Sequence, residues 1–272
     1  MYKDFDISND QQKLIRQIYH VLSAKHEKLP IESEKLVVLL QQNFNEKIVE
    51  ICVFTSNSNK NAKDPVNLNL TEAYEACRQQ LKEQCQSISN GSFDYLFLTV
   101  DFCRQLYSIV MKNLTMDDTS IWRQCDCESF GMKNSSNYTK PECIEESMYQ
   151  LVDNYNDRIR EIQTNAEKTS NSEIFAQFLR LSVWFHFNFE KIHPFSDGNG
   201  RIGRLLANFC LTPFGLFPCL YFAKHNQLQR GDGNLQKWRS EYLEALETCH
   251  KGDFSQLMNL FLTSIISNKT NF

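Results

Sequence analysis

The chain has 272 residues, 42% of them hydrophobic and 23% charged, with a formal net charge of −4 at pH 7. That length buries a sizeable core in one or two domains. The weakly acidic balance supplies no basic field for nucleic acid, and no apolar run reaches the length of a membrane-crossing helix. The start, Met-Tyr-Lys-Asp-Phe-Asp, lacks the apolar stretch of a secretion signal. The expected partners therefore include neither nucleic acid nor membrane, and the expected location is the cytoplasm.

In chain order, residues 9–24 and 32–43 carry apolar residues at helical spacing, with Ile15, Ile18, Tyr19 and Leu22 on one face of the first. Thr55 to Asn69 is rich in Ser, Asn and Lys and reads as an exposed loop and a boundary. This divides the chain into an N-terminal helical extension and loop, 1–65, and a main domain, 66–267. Helices are expected at 70–88, 99–112, 143–163, 172–192, 200–211, 234–249 and 253–267, the last with Asp253 as its N-cap. Ile121 to Tyr138 breaks the helical pattern, with Trp122, Phe130 and Tyr138 among Cys, Ser, Asn and Gly. It fits either a short β-hairpin or a surface loop anchored by aromatics. The fold class is mainly α. The ten cysteines are scattered, and Cys125-Asp126-Cys127 is not a zinc-type pair, so they are expected to be reduced thiols.

The chemistry concentrates in one stretch, His193-Pro194-Phe195-Ser196-Asp197-Gly198-Asn199-Gly200-Arg201-Ile202-Gly203-Arg204. Pro194 disfavours helix at the residue before it, so the apolar helix ends near His193 and leaves an imidazole at a loop start. There it can accept a proton near neutral pH. Phe195 reads as an anchor into the core. Asp197 is a hard oxygen ligand of the kind Mg²⁺ uses beside substrate phosphates. Gly198, Asn199 and Gly200 can bring backbone N–H groups close to an anion, and the helix that starts there adds its positive end. Arg201 and Arg204, three apart, share a helix face, and their guanidinium forks suit phosphate oxygens. Each group singly is a weak signal. In this order and spacing they point to nucleotide phosphate chemistry.

The string resembles the signature of the Fic (Fido-domain) family, His-x-Phe-x-(Asp/Glu)-Gly-Asn-Gly-Arg-x-x-Arg, at every specified position. The resemblance extends over roughly residues 66–265. Trp184 to Ile192 is similar to the family's buried central helix, and Gly215-Leu216-Phe217-Pro218 to the turn after the motif helix. Tyr242 to Leu246 and Gly252-Asp253 are similar to its C-terminal helix pair. It implies a Fic-type helical bundle around a central motif-bearing helix pair, with a short β-hairpin flap at about 121–138 that lines up a target segment by strand addition. The implied activity is transfer of AMP from ATP, as co-substrate, to a Ser, Thr or Tyr hydroxyl of a target protein. His193 would take the hydroxyl proton and Asp197 would hold Mg²⁺. Gly198, Asn199 and Gly200 would form the anion hole, and Arg201 and Arg204 would steady the departing phosphates. The resemblance also allows a homodimer.

Two positions depart from the family pattern. Many Fic proteins carry an inhibitory Ser/Thr-x-x-x-Glu helix whose Glu pairs with the second arginine of the motif. At the corresponding place Asn59 stands for that Glu, followed by Lys60. Thr71 to Glu75 also fits the first five positions, but Ala76 follows and the spacing is late. The expectation is a chain not inhibited in the usual way. His250 stands near where the family often places Asn beside the adenine, which leaves nucleotide preference open. Other chemistries therefore stay in view: transfer of UMP or another phosphate-linked group, removal of AMP, or nucleotide binding without catalysis.

Overall fold

The structure is a computed structural model that describes residues 4–26, 28–32, 35–36, 38–39, 64–87, 93–114, 122–127, 138–216 and 233–267. The helices that frame the site are α1 (Asn9–Lys25), α2 (Pro65–Ser87), α3 (Val100–Val110), α4 (Ile144–Asn165), α5 (Asn171–Ile192), α6 (Asn199–Cys210), α7 (Gly233–His250) and α8 (Ser255–Ser267). No strand occurs among the described residues. The mainly α expectation is met, and each of the seven helices expected from residue 70 onward is present with its ends shifted by a few residues at most.

Local chemistry explains the helix starts. Ser8 and Gln11 form a reciprocal capping box on α1, with Gln11 N donating to Ser8 Oγ at 3.2 Å and Ser8 N donating to Gln11 Oε1 at 3.0 Å. Thr99 caps α3 by accepting from Phe102 N at 3.0 Å, and Ser170 caps α5 by accepting from Glu173 N at 3.3 Å. Asp253 accepts from Ser255 N at 2.9 Å and serves the start of α8, as expected.

One boundary is corrected. The loop expected over Thr55 to Asn69 ends sooner, because α2 begins at Pro65. Asp64 Oδ1 accepts from Val66 N at 3.0 Å, and proline is well suited to a first helical turn. Polar composition hid this turn, since Asn67 and Asn69 are both buried. Asn69 Nδ2 donates to the Val110 and Lys112 carbonyls at 3.2 and 2.7 Å, tying α2 to the end of α3. Of the helix expected at 32–43, residues 35–36 and 38–39 are helical, and the remainder lies outside the described residues apart from Glu32, which precedes it. Most of the expected hairpin, 128–137, lies outside them as well, and its described feet, 122–127 and Tyr138, are irregular.

Helix α5 is the axis of the core. Phe175, Phe178, Phe185 and Phe189 are fully buried along it, and apolar residues occupy every side. A helix apolar all round must be enclosed by other elements. Helices α1, α4, α6 and α8 pack around it, α6 most extensively. N-terminal α1 belongs to this same core through Ile15, Ile18 and Leu22. Its Gln11 side chain donates to the Ser255 carbonyl at 2.9 Å and to Asn259 Oδ1 at 2.8 Å on α8. Phe5 stacks on Phe254 with ring centroids 4.5 Å apart.

The α5–α6 contact depends on Gly203. A Cβ there would stand 2.7 Å from Glu190 Oε1, 3.2 Å from Phe189 Cδ1 and 3.3 Å from His186 Nδ1. The bare glycine lets the motif helix lie directly on α5 and sets the two arms of the site side by side.

Candidate active site

The motif is the turn that joins the two most closely packed helices. His193 ends α5 in the left-handed region, at φ 48° and ψ 60°, with its N–H donating to the Phe189 carbonyl at 2.9 Å. Pro194 disfavours helical geometry at residue 193, and an L-residue in this region costs roughly 1 kcal/mol or more. The surroundings must therefore hold it. Phe195 is fully buried and stacks between Tyr107 and Trp122, with centroids 4.1 and 5.4 Å away. Arg104 lies over the Trp122 ring at 4.8 Å.

Asn199 closes the buried half of the turn. It is 2% exposed; its Oδ1 accepts from Phe195 N at 3.0 Å and its Nδ2 donates to Phe195 O at 2.7 Å. That side chain is committed to holding the loop, so anion contact at this point falls to backbone N–H groups. Gly198, at φ 82°, turns the chain into α6. A Cβ there would be strained in conformation and 3.0 Å from Met111 Sδ. The first-turn N–H groups of Asn199 and Gly200 precede the helix's internal bonds and point out of its N-terminus.

The opposite half is open. The Asp197 side chain is 72% exposed, with Oδ1 accepting from Gly198 N at 2.6 Å and Oδ2 facing Arg201 Nη2 at 3.1 Å. Arg201 is mostly buried and also reaches Met111 Sδ at 3.4 Å. Burial lowers its pKa, and neighbouring Arg204 adds to the lowering while Asp197 opposes it. Arg204 Nη1 comes within 3.2 Å of a Cβ built at Gly200, so both arginines lie along the first turns of α6 beside the glycines. The two groups expected to serve metal and phosphate, Asp197 and Arg201, thus pair with each other.

Behind the turn lies a buried polar cluster. His186 Nε2 and the Tyr242 hydroxyl are 2.8 Å apart, and both are buried. Desolvation lowers His186 to about 3 and raises the Tyr242 hydroxyl well above its ordinary value. Glu190 is 6% exposed; burial raises its carboxyl to about 7, with the Arg204 charge opposing. Its Oε2 is 3.9 Å from His193 Nδ1. His193 itself is lowered to about 4, by burial first and then by the Arg123 charge, against the Glu190 carbonyl and the Asp197 charge. Its ring rests on Tyr138 at a centroid distance of 4.9 Å. The neutral imidazole is the form that accepts a proton.

Sequence reasoning singled out His193, Asp197, Gly198, Asn199, Gly200, Arg201 and Arg204, and all lie around this one turn. It missed Arg123, Glu190, His186, Tyr242 and Met111. The three-residue spacing of Glu190 and His193 near the end of an apolar helix was a readable signal for one of them. The others come from distant segments and had none. His250 ends α7 and makes an edge contact with Phe187 at 5.0 Å. Glu75 pairs with Arg78 on its own helix. Asn59 lies outside the described residues.

The family model for Fic/DOC proteins matches residues 97–211, which span α3 to α6 and the whole motif. The chain carries a Fic domain. A Fido domain-containing protein of Dictyostelium discoideum is 40% identical over 81 residues, 30% of this chain and 48% of that protein. A probable protein adenylyltransferase of Aquifex aeolicus is 55% identical over 38 residues, 14% of this chain and 12% of that protein. The protein adenylyltransferase Fic of Culex quinquefasciatus is 33% identical over 75 residues, 28% of this chain and 12% of that protein. The matches thus span about half the length of the first relative and about an eighth of the others. In three dimensions the chain is similar to Fic-1 (aa134–508) from C. elegans, with a TM-score of 0.61 at 16% identity over 96% of this chain and 71% of that one. Likeness at that identity establishes a shared helical fold. Among the described residues no helix is long and apolar enough to cross a membrane.

Proposed function

We propose that this Fic domain is a protein adenylyltransferase that moves AMP from ATP to a Ser, Thr or Tyr hydroxyl of a target protein. The observation that carries the reading is the pairing, across one turn, of a neutral imidazole with an arginine-flanked helix N-terminus. His193 accepts the proton of the target hydroxyl as that oxygen attacks the α-phosphorus. The N–H groups at the start of α6 stabilise negative charge on the phosphate being transferred. Arg201 and Arg204 steady the phosphates that leave as pyrophosphate. The protein's work in such a transfer is mostly positioning and charge neutralisation.

Asp197 fits the expected Mg²⁺ site. Its carboxylate is open to solvent at the lip of the turn. Among the described residues no group of three or more His, Cys, Asp or Glu side chains could hold a metal. A single carboxylate beside nucleotide phosphates is a usual Mg²⁺ arrangement. When bound, the ion would neutralise phosphate charge. Arg201 must exchange its contact with Asp197 for phosphate when the nucleotide arrives. The segment at about 121–138, whose described residues Arg123 and Tyr138 contact His193, is the proposed docking place for the target.

The test is intact mass after incubation with ATP and Mg²⁺, with His193→Ala as control. A gain of about 329 Da per site, the AMP-minus-water increment on a nucleophilic hydroxyl, absent from the variant, supports the reading. Mass gain from UTP, GTP or CTP in place of ATP would replace AMP with another nucleotide. Absence of any gain on the chain itself or on added lysate proteins would overturn the proposal.

A further inference from the structure

Among the described residues no carboxylate pairs with the buried cation Arg123, and its hydrogen bonds to them lie at the base of the site. It is 4% exposed. Its Nε donates to the His193 carbonyl at 2.7 Å, and its Nη1 to the Cys125 carbonyl at 2.8 Å. Its Nη2 donates to the Thr139 carbonyl and to the Ile192 carbonyl, the latter at 3.3 Å. The backbone continues the pattern. Arg123 N donates to Pro194 O at 3.0 Å, and Thr139 N donates to Lys191 O at 3.1 Å. One guanidinium therefore fastens three strips of chain together: the end of α5, residues 123–125, and residue 139.

The consequence for His193 follows from helix physics. The last carbonyls of a helix have no internal partners and form its negative end, where a cation is favoured. A histidine at that position would ordinarily gain as imidazolium. Here Arg123 already occupies the negative end, and it takes the Ile192 and His193 carbonyls. A second positive charge on the adjacent ring is disfavoured. The same bonds hold residue 193 in a left-handed conformation that it would not choose alone. The fork geometry matters, because only guanidinium presents in-plane donors to several carbonyls at once.

We infer that Arg123 is a positioning residue for the proposed base: it fixes the backbone of His193, sets a positive charge beside its ring and locks both feet of the 122–139 segment to it. The inference rests on His193 being the base of the proposed reaction. The other titratable or charged groups around the ring are Glu190 on its own helix, Asp197 from the following loop and Tyr138 from the segment before α4. Burial and Arg123 stand against the Glu190 carbonyl and the Asp197 charge and together prevail, since the ring is lowered to about 4.

The experiment compares Arg123→Gln, which removes the charge, with Arg123→Lys, which keeps the charge and loses the fork. The six histidines are isotopically labelled, and the His193 resonance is assigned by its loss in His193→Ala. Arg123→Gln is expected to raise the His193 titration toward 6.5 and to move the acid limb of kcat/KM with it. Arg123→Lys is expected to leave the titration low while kcat falls roughly 100-fold, as for about 1 Å of misplacement, with KM for ATP within about twofold. A folded Arg123→Gln with the wild-type His193 titration and kcat overturns the inference. If Arg123→Gln does not fold, Arg123→Lys decides: unchanged kcat and His193 signals overturn it, and reduced kcat at unchanged KM supports it. The titration is read without substrate. A shift in a protein that transfers no nucleotide would therefore sink the functional reading and leave the role of Arg123 standing.

Discussion

The two halves of the motif turn are built in opposite ways. On the base side, His193, Phe195 and Asn199 are fixed by ring stacking, paired amide bonds and a buried guanidinium. On the side proposed for phosphate, Asp197 is exposed and pairs with Arg201, a contact that the proposed nucleotide would have to displace. The tightly held half is the one where the proposed proton transfer would depend on geometry. The open half is the one where the proposed nucleotide would supply its own order on arrival. Mutations on the two sides should therefore fail differently: the first should cost stability and kcat, the second should cost nucleotide affinity.

The sharpest break is His193→Ala. Loss of the proposed general base should lower kcat by about 10²- to 10⁴-fold with little change in ATP binding, read by steady-state kinetics and by calorimetry. Next comes Phe195→Ala, which empties a fully buried site between two rings and should cost about 3–5 kcal/mol in denaturant unfolding. Asn199→Ala leaves the Phe195 N–H and carbonyl buried without partners and should cost about 2 kcal/mol. On the open half, Arg201→Ala should cost less in unfolding than Asn199→Ala and raise the KM for ATP roughly tenfold to a hundredfold. If Arg201→Ala instead destabilised the fold as much as Asn199→Ala, the contrast between the halves would collapse.

A further contrast lies in the pH dependence. Burial lowers His186 to about 3 and His193 to about 4, so both stay neutral in the fold while the unfolded chain takes up protons near 6.5. Stability should fall as pH drops through that range. Glu190 runs the other way. Its carboxyl is raised from 4.5 to about 7, so the fold keeps a proton that the unfolded chain has released. Its contribution is present below 4.5 and is lost as pH rises through about 7. Unfolding midpoints of Glu190→Gln between pH 5 and pH 8 should lack this decline; a decline equal to wild type would assign it elsewhere.

Much of this site was legible in the sequence because its groups are local. Seven residues within twelve positions form one turn between two helices, and both proline and glycine announce the turn through backbone sterics. The helices were legible because α3, α4 and α6 have distinct apolar and polar faces and α5 carries apolar residues on every side. What escaped was non-local. Arg123 reads as one more surface cation until the carbonyls of residues 139, 192 and 193 are brought around it. Gly203 reads as a mild helix breaker until α5 lies against it. The early start of α2 escaped for a different reason, since buried Asn67 and Asn69 imitate loop composition.

The most direct test of the account uses ATP labelled either at the α- or at the γ-phosphate, with the full chain, Mg²⁺ and a pool of candidate target proteins. The account predicts stable label on protein from α-labelled ATP only, lost in His193→Ala. Protein label from γ-labelled ATP, or α-label that persists in His193→Ala, would contradict it.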